Sequence, residues 1–133
     1  MNNQQKKKIR ERELLDQFRF VYPNFPKGKI IASESPDFIL KPNRKRTIGI
    51  ELIQLFPNEN LLESIQASIV KKEEKLRLYQ KKILENYWLI ITTDSLHSFK
   101  FNIQNLIDKS EFDSKYDRVF LFEVAKNKIF ELR

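Results

Sequence analysis

The chain has 133 residues, 41% of them hydrophobic and eleven of them phenylalanine, enough for one domain with a sheet covered by helices and too little for a second core. Lysine and arginine number 25 against 18 acids, for a net charge of +7, while the absence of cysteine and the single histidine, His97, exclude disulfides, thiolate metal sites and a histidine-rich zinc centre. No apolar run reaches the roughly 18 residues of a membrane-spanning helix and the start is polar and basic rather than a secretion signal, so a cytoplasmic protein without membrane attachment is expected.

Leu14, Leu15 and Phe18 share one face of a helix expected over residues 4–20. Glu11 projects between them on that face, whereas Glu13 lies nearly opposite. Pro23 to Gly28 then turns the chain into a strand around Lys29 to Ser33. Two apolar runs follow, Asp37 to Leu40 and Thr47 to Ile53, separated by the basic turn Lys41-Pro42-Asn43-Arg44-Lys45-Arg46. Paired as an antiparallel hairpin about Arg44, they set Asp37 opposite Glu51, with Cβ atoms roughly 4.5–5.5 Å apart on one face of the sheet. Two carboxylates at that separation repel unless a cation lies between them, and hard oxygen ligands suit Mg²⁺ or Mn²⁺. Ser35, which precedes a proline, should be extended. Glu34, three residues before Asp37, reads equally as a further ligand or as a surface acid.

Pro57 to Asn60 ends the second hairpin strand, and Asn58 or Asn60 can cap a long helix running from Leu61 to near Glu85-Asn86. Its apolar positions Leu62, Ile65, Ile69, Leu76 and Ile83, with Tyr79, recur at spacings of three, four and seven, and Lys72 falls inside that stripe. A lysine there either lays its stem on the core and lifts its ammonium to water or serves a site. Lys75 lies at the edge of the stripe and Lys71 further round. Tyr87 to Thr92 reads as a buried central strand reached by a parallel crossover, with Tyr87 and Trp88 in the core rather than on a base-stacking platform. A loop holds Asp94 and His97, Phe99 and Phe101 form a short extended piece, and Asn102 to Lys109 is a short helix. Arg118 to Val124 and Lys128 to Leu132 are two final strands joined by an Ala125-Lys126-Asn127 turn. The expected class is α/β, a mixed β-sheet flanked by helices in the order α-β-β-β-α-β-α-β-β.

Pro36-Asp37 followed by Glu51-Leu52-Ile53, on a hairpin between a first helix and a long second one, resembles the core of the PD-(D/E)XK nuclease superfamily, the restriction-endonuclease-like fold. The resemblance covers most of residues 1–133, as a single domain. It departs at one position, because the motif lysine two residues after the second acid is here Ile53. The resemblance implies metal-dependent hydrolysis of nucleic-acid phosphodiester bonds, DNA foremost. Mg²⁺ or Mn²⁺ would be held by Asp37, Glu51 and the backbone carbonyl of Leu52, with Glu11 and Glu34 as further ligands. It also implies a lysine migrated to the following helix, Lys72 first and Lys75 second, to orient or help deprotonate the attacking water. On this reading each acid is indispensable, and Lys72→Met lowers activity while the fold remains.

The net charge favours a polyanionic partner. Lys41, Arg44, Lys45 and Arg46 at the hairpin tip, with Lys75, are the candidate contacts to backbone phosphates, the tip standing beside the acids. The same tip also reads as a solvated turn that blocks edge-to-edge pairing. Further basic residues lie from Lys6 to Arg12 and on the long helix through Arg77, Lys81 and Lys82, where Glu73, Glu74 and Glu85 alternate with them as on a surface face. With only Gly28 and Gly49, glycine-rich phosphate cradles are excluded. The competing readings are a nucleic-acid-binding module that has lost catalysis, for which Ile53 is the support, and a protein-interaction subunit. A homodimer or a larger complex is compatible with each.

Overall fold

The computed structural model describes residues 2–34, 36–58, 60–79 and 84–133, with backbone only for 77–79. The expectations placed on Ser35, on Tyr79 and Ile83 of the stripe, and on Arg77, Lys81 and Lys82 lie outside the described residues and side chains. Helix α1 spans Asn3–Val21 and begins with a reciprocal cap, in which Asn2 accepts the Gln5 N–H and the Gln5 side chain accepts the Asn2 N–H. Strands β1 (Lys29–Ala32), β2 (Phe38–Lys41) and β3 (Ile48–Gln54) follow. Helix α2, Leu61–Tyr79, starts at Asn60, whose side-chain oxygen accepts the Glu63 N–H.

The long helix was expected to end near Glu85-Asn86; it is described as far as Tyr79, and Asn86 already belongs to the next strand. Glu85 and Asn86 both give their N–H groups to the Thr47 carbonyl, at 3.1 and 3.3 Å, so the sheet has already recruited them. Strand β4 is therefore Asn86–Thr93. Phe99 and Phe101 also depart from expectation. The Phe99 N–H bonds back to the Leu96 carbonyl, which turns the chain and brings the two rings together at 5.4 Å instead of alternating them. Helix α3 (Ile103–Asp108) is capped by Asn102; β5 (Arg118–Glu123), a 3₁₀ turn (Val124–Lys126) and β6 (Lys128–Glu131) complete the chain. Asn127 closes that turn at φ 50°, a left-handed conformation asparagine tolerates.

The six strands lie in sequence order in one mixed sheet, β3, β4 and β5 parallel and the margins antiparallel. Parallel neighbours need long connections, which α2 and α3 supply. Strand alternation separates two cores. Ile50, Leu52, Ile90 and Phe120 pack with Leu15 and Phe18 of α1, whereas Leu89, Ile91 and Leu121 pack with Ile65, Ile69 and Leu76 of α2. Strand β4 is covered on both faces, which explains its unbroken apolar run. Trp88 lies in the core as expected, 5% exposed. Among the described residues no helix is long and apolar enough to cross a membrane.

Gly28 permits the close approach of the first strand connection to the hairpin. A Cβ there would stand 2.5 Å from the Lys41 carbonyl oxygen and 2.7 Å from the Pro42 Cα, backbone atoms that cannot step aside. Gly28→Ala is expected to destabilise the chain by about 1–3 kcal/mol, read as a lower urea midpoint with an unchanged slope.

Candidate active site

The hairpin register pairs Phe38 with Ile50 and Leu40 with Ile48. One step further sets Asp37 against Glu51, on the face turned towards α2. Glu51 grips the backbone of Asp37, and Asp37 that of Leu52, the next residue after Glu51. Glu51 Oε1 accepts the Asp37 N–H at 2.9 Å, and Asp37 Oδ2 accepts the Leu52 N–H at 2.9 Å. The segment entering β2 is thereby pinned to β3, and Leu52 is drawn in through its amide.

Glu51 is 1% exposed in the middle of a strand, an environment that demands a partner. Lys72 is that partner. Its position between Ile69 and Leu76 on the buried face of α2 carries its Nζ to 2.9 Å from Glu51 Oε2, with the residue only 9% exposed. The ammonium does not snorkel to water. Burial first, and the nearby Asp37 charge second, push the Glu51 carboxyl above its ordinary range, while Lys72 pulls it back down. Ile53, at the position where the resembled motif has lysine, is half-buried against the α2-side core. The cation at Glu51 thus arrives from the helix and not from the strand.

Helix α1 closes the other side. Glu11 is half-buried beside Asp37 and is pushed up to about 7, by burial first, then by the Asp37 charge and a hydrogen bond with Asp37, against the opposing pull of Lys8 and Lys7. Lys8 is a residue that the sequence reading did not single out. Its Nζ donates to the Ser33 carbonyl at 2.6 Å and the Asp37 carbonyl at 2.7 Å, and it lies 4.5 Å from the centre of the Phe38 ring. It ties α1 to the segment that carries Asp37. A signal existed: Lys8, Glu11, Leu15, Phe18 and Tyr22 recur at spacings of three and four on one helix face.

Glu11, Glu34, Asp37, Glu51, Lys72 and Lys75 all line one cavity of about 540 Å³. Glu34 and Lys75 are exposed at its rim. The hairpin tip is elsewhere. Lys41, Arg44, Lys45 and Arg46 occupy the opposite end of the hairpin, several residues from the acids at roughly 3.3 Å per strand residue. Asn43 accepts the Lys45 and Arg46 N–H groups and fixes the turn, and Arg46 pairs with Glu85 at 3.5 Å. The expectation that the tip stands beside the acids is corrected accordingly. Besides Lys72 and Lys75, the cations around the cavity are Lys7 and Lys8 of α1. His97 is exposed and contacts Ser95 Oγ at 2.7 Å.

Among the described residues no three aspartate, glutamate or histidine side chains form a ready metal cage. The donor chemistry nevertheless suits a hard divalent cation. Asp37 and Glu51 offer oxygen alone, burial first and the Asp37 charge second raise both Glu11 and Glu51, and Mg²⁺ is commonly held through one or two carboxylates with water and phosphate completing the shell. Both Glu51 oxygens accept hydrogen bonds, and Asp37 accepts the Leu52 N–H and shares a hydrogen bond with Glu11. Comparison with protein-family models, curated proteins and solved structures found no match to the chain.

Proposed function

We propose that the chain is a metal-dependent nuclease of the PD-(D/E)XK kind, hydrolysing phosphodiester bonds in nucleic acid, with DNA as the first substrate to test. The observation that carries this reading is the 2.9 Å contact of Lys72 with Glu51, across a cavity that Asp37 also lines. It unites two acids and one lysine as the resembled site requires, with the lysine supplied by α2.

Asp37 and Glu51 would hold Mg²⁺ or Mn²⁺, with Glu11 and the Leu52 carbonyl as further oxygen donors and Glu34 at the rim. Once bound, the ion would lower the pKa of a water and offset negative charge on phosphate. The chain's own groups do the remaining work. Lys72 Nζ is a cation held in a poorly solvated position, where its field at an adjacent phosphate is strong. Lys8 holds the Asp37 backbone, which sets the reach of that acid into the cavity. Glu11, half-buried beside Asp37, adds its carboxylate to the same side of the cavity. The composition and basic surface fit a cytoplasmic setting, where nucleic acid and Mg²⁺ are both present.

The test is cleavage of supercoiled plasmid and of labelled single-stranded DNA and RNA, with Mg²⁺ or Mn²⁺, comparing the native chain with Asp37→Asn. Metal-dependent cutting that falls at least about a hundredfold in the variant supports the proposal. Ile53 favours a second reading, a binding module without catalysis. Salt-sensitive binding indifferent to metal, with no substrate cut, would establish that module instead.

A further inference from the structure

A second cavity, of about 470 Å³, adjoins the acid-lined one and shares Lys7, Glu11, Lys72 and Lys75 with it. The two differ in charge. Around the first, among the described residues, four lysines meet four carboxylates. Around the second, among the described residues, Lys7, Arg10, Lys71, Lys72 and Lys75 face Glu11 alone, five cations to one acid. Lys72 is engaged by Glu51, and Arg10 pairs at 3.4 Å with the exposed Glu13, so Lys7, Lys71 and Lys75 dominate the field of this space.

Its floor is apolar. Leu14 and Ile53 are half-buried there, and Gln54 presents an exposed amide at the edge. Ile53, which departs from the resembled motif, is what removes charge from this floor. An apolar floor, a neighbouring amide and a rim of ammonium groups together match one nucleotide. The base face covers Leu14 and Ile53, its edge meets Gln54, and its phosphates lie among Lys7, Lys71 and Lys75.

We propose that this cavity binds an unpaired nucleotide of a single-stranded nucleic acid, adjacent to the phosphate held over Asp37 and Glu51. The placement of that phosphate rests on the nuclease reading. A base within a duplex has both faces covered by its stacked neighbours and its pairing edge occupied, and cannot lie on the floor without leaving the helix. A single strand pays no such cost, and every base offers it a face.

The experiment is a fluorescence-anisotropy titration of the full chain with a short labelled single strand and with the corresponding duplex, in EDTA at several salt concentrations. Lys7→Gln/Lys75→Gln is compared with Lys109→Gln/Lys126→Gln, which removes the same charge from exposed positions that line neither cavity. Leu14→Gln tests the floor without altering charge. The single strand should bind about tenfold tighter than the duplex, and the Lys7/Lys75 variant should lose about tenfold in single-strand affinity, with the slope of log K against log salt shallower by about 1.4, at roughly 0.7 per phosphate contact. The Lys109/Lys126 variant should stay within about twofold, and Leu14→Gln should weaken binding at an unchanged slope. Equal losses in the two double variants, or a duplex bound as tightly as the single strand, would overturn the proposal even if Leu14→Gln did not fold. Binding of this kind in a chain that cuts nothing would overturn the nuclease reading alone. Metal-dependent cutting with the cavity variants binding like the native chain would overturn this inference alone.

Discussion

Lys72→Met is expected, on the proposed nuclease function, to lower the cleavage rate by about a thousandfold, the scale of removing one positioned electrostatic group from a transition state, and also to weaken the fold. The second effect departs from the expectation formed on sequence alone, that the fold would remain. Lys72 is the charge partner of a glutamate 1% exposed. Removing one member of such a pair leaves an uncompensated buried charge and typically costs about 3–5 kcal/mol. The loss should depend on pH in a definite direction. Without Lys72, Glu51 can relieve its isolation by binding a proton, so the deficit should be larger at pH 8 than at pH 5. Lys72→Met/Glu51→Gln removes both charges, and its destabilisation should fall at least about 1 kcal/mol short of the sum of the single variants. Urea denaturation at both pH values measures these quantities. Additive losses that are equal at pH 5 and pH 8 would show that the contact carries no coupling.

The two elements of this pair were legible for different reasons. The opposition of Asp37 and Glu51 follows from the apolar runs either side of a turn centred near Arg44, because strand alternation allows one register that buries Phe38, Leu40, Ile48 and Ile50 together. Lys72 was legible as an anomaly, a cation inside a stripe whose neighbours Ile65, Ile69 and Leu76 are almost wholly buried. Asn60 and Asn102 marked their helix starts by residue type.

What escaped has a common physical cause. Lys8 acts on the carbonyls of Ser33 and Asp37, and a backbone acceptor leaves no mark in the sequence. The start of β4 at Asn86 depended on Glu85 and Asn86 being captured by Thr47, a contact decided by the sheet. Phe99 and Phe101 have the spacing of a strand, yet a local turn brings their rings together. The charge of the hairpin tip was plain, but residue order alone does not say which end of a hairpin opens onto a cavity. That choice follows from where α1 and α2 meet the sheet, and their meeting brings Lys7 and Lys75 to the acids in place of Arg44 and Lys45.

The crowding of Glu11 against Asp37 leads to the second large effect, a stability that falls with rising pH and is restored by Mg²⁺. Glu11 is pushed up to about 7 from an ordinary value of 4.5. Between those values the folded chain keeps a proton that the unfolded chain releases, so the contribution is fully present below pH 4.5 and is lost as pH rises through 7. Glu51 is raised by burial as well and acts in the same direction. Because Glu11 is only half-buried, solvent screening reduces its share to on the order of 1–2 kcal/mol. Glu11→Gln cannot ionise, so it should match the native chain at pH 4 and exceed it by about that amount at pH 8. On the proposed reading Mg²⁺ would bind the ionised acids, and at ten times its dissociation constant it should stabilise the native chain by about 1.4 kcal/mol at pH 8 and by clearly less at pH 5. Asp37→Asn should lose the Mg²⁺ response. Thermal denaturation with Mg²⁺ and with EDTA separates the two causes. A Mg²⁺ shift of the same size in Asp37→Asn would place the ion elsewhere, and a Glu11→Gln chain that followed the native pH curve would remove Glu11 as the source of the strain.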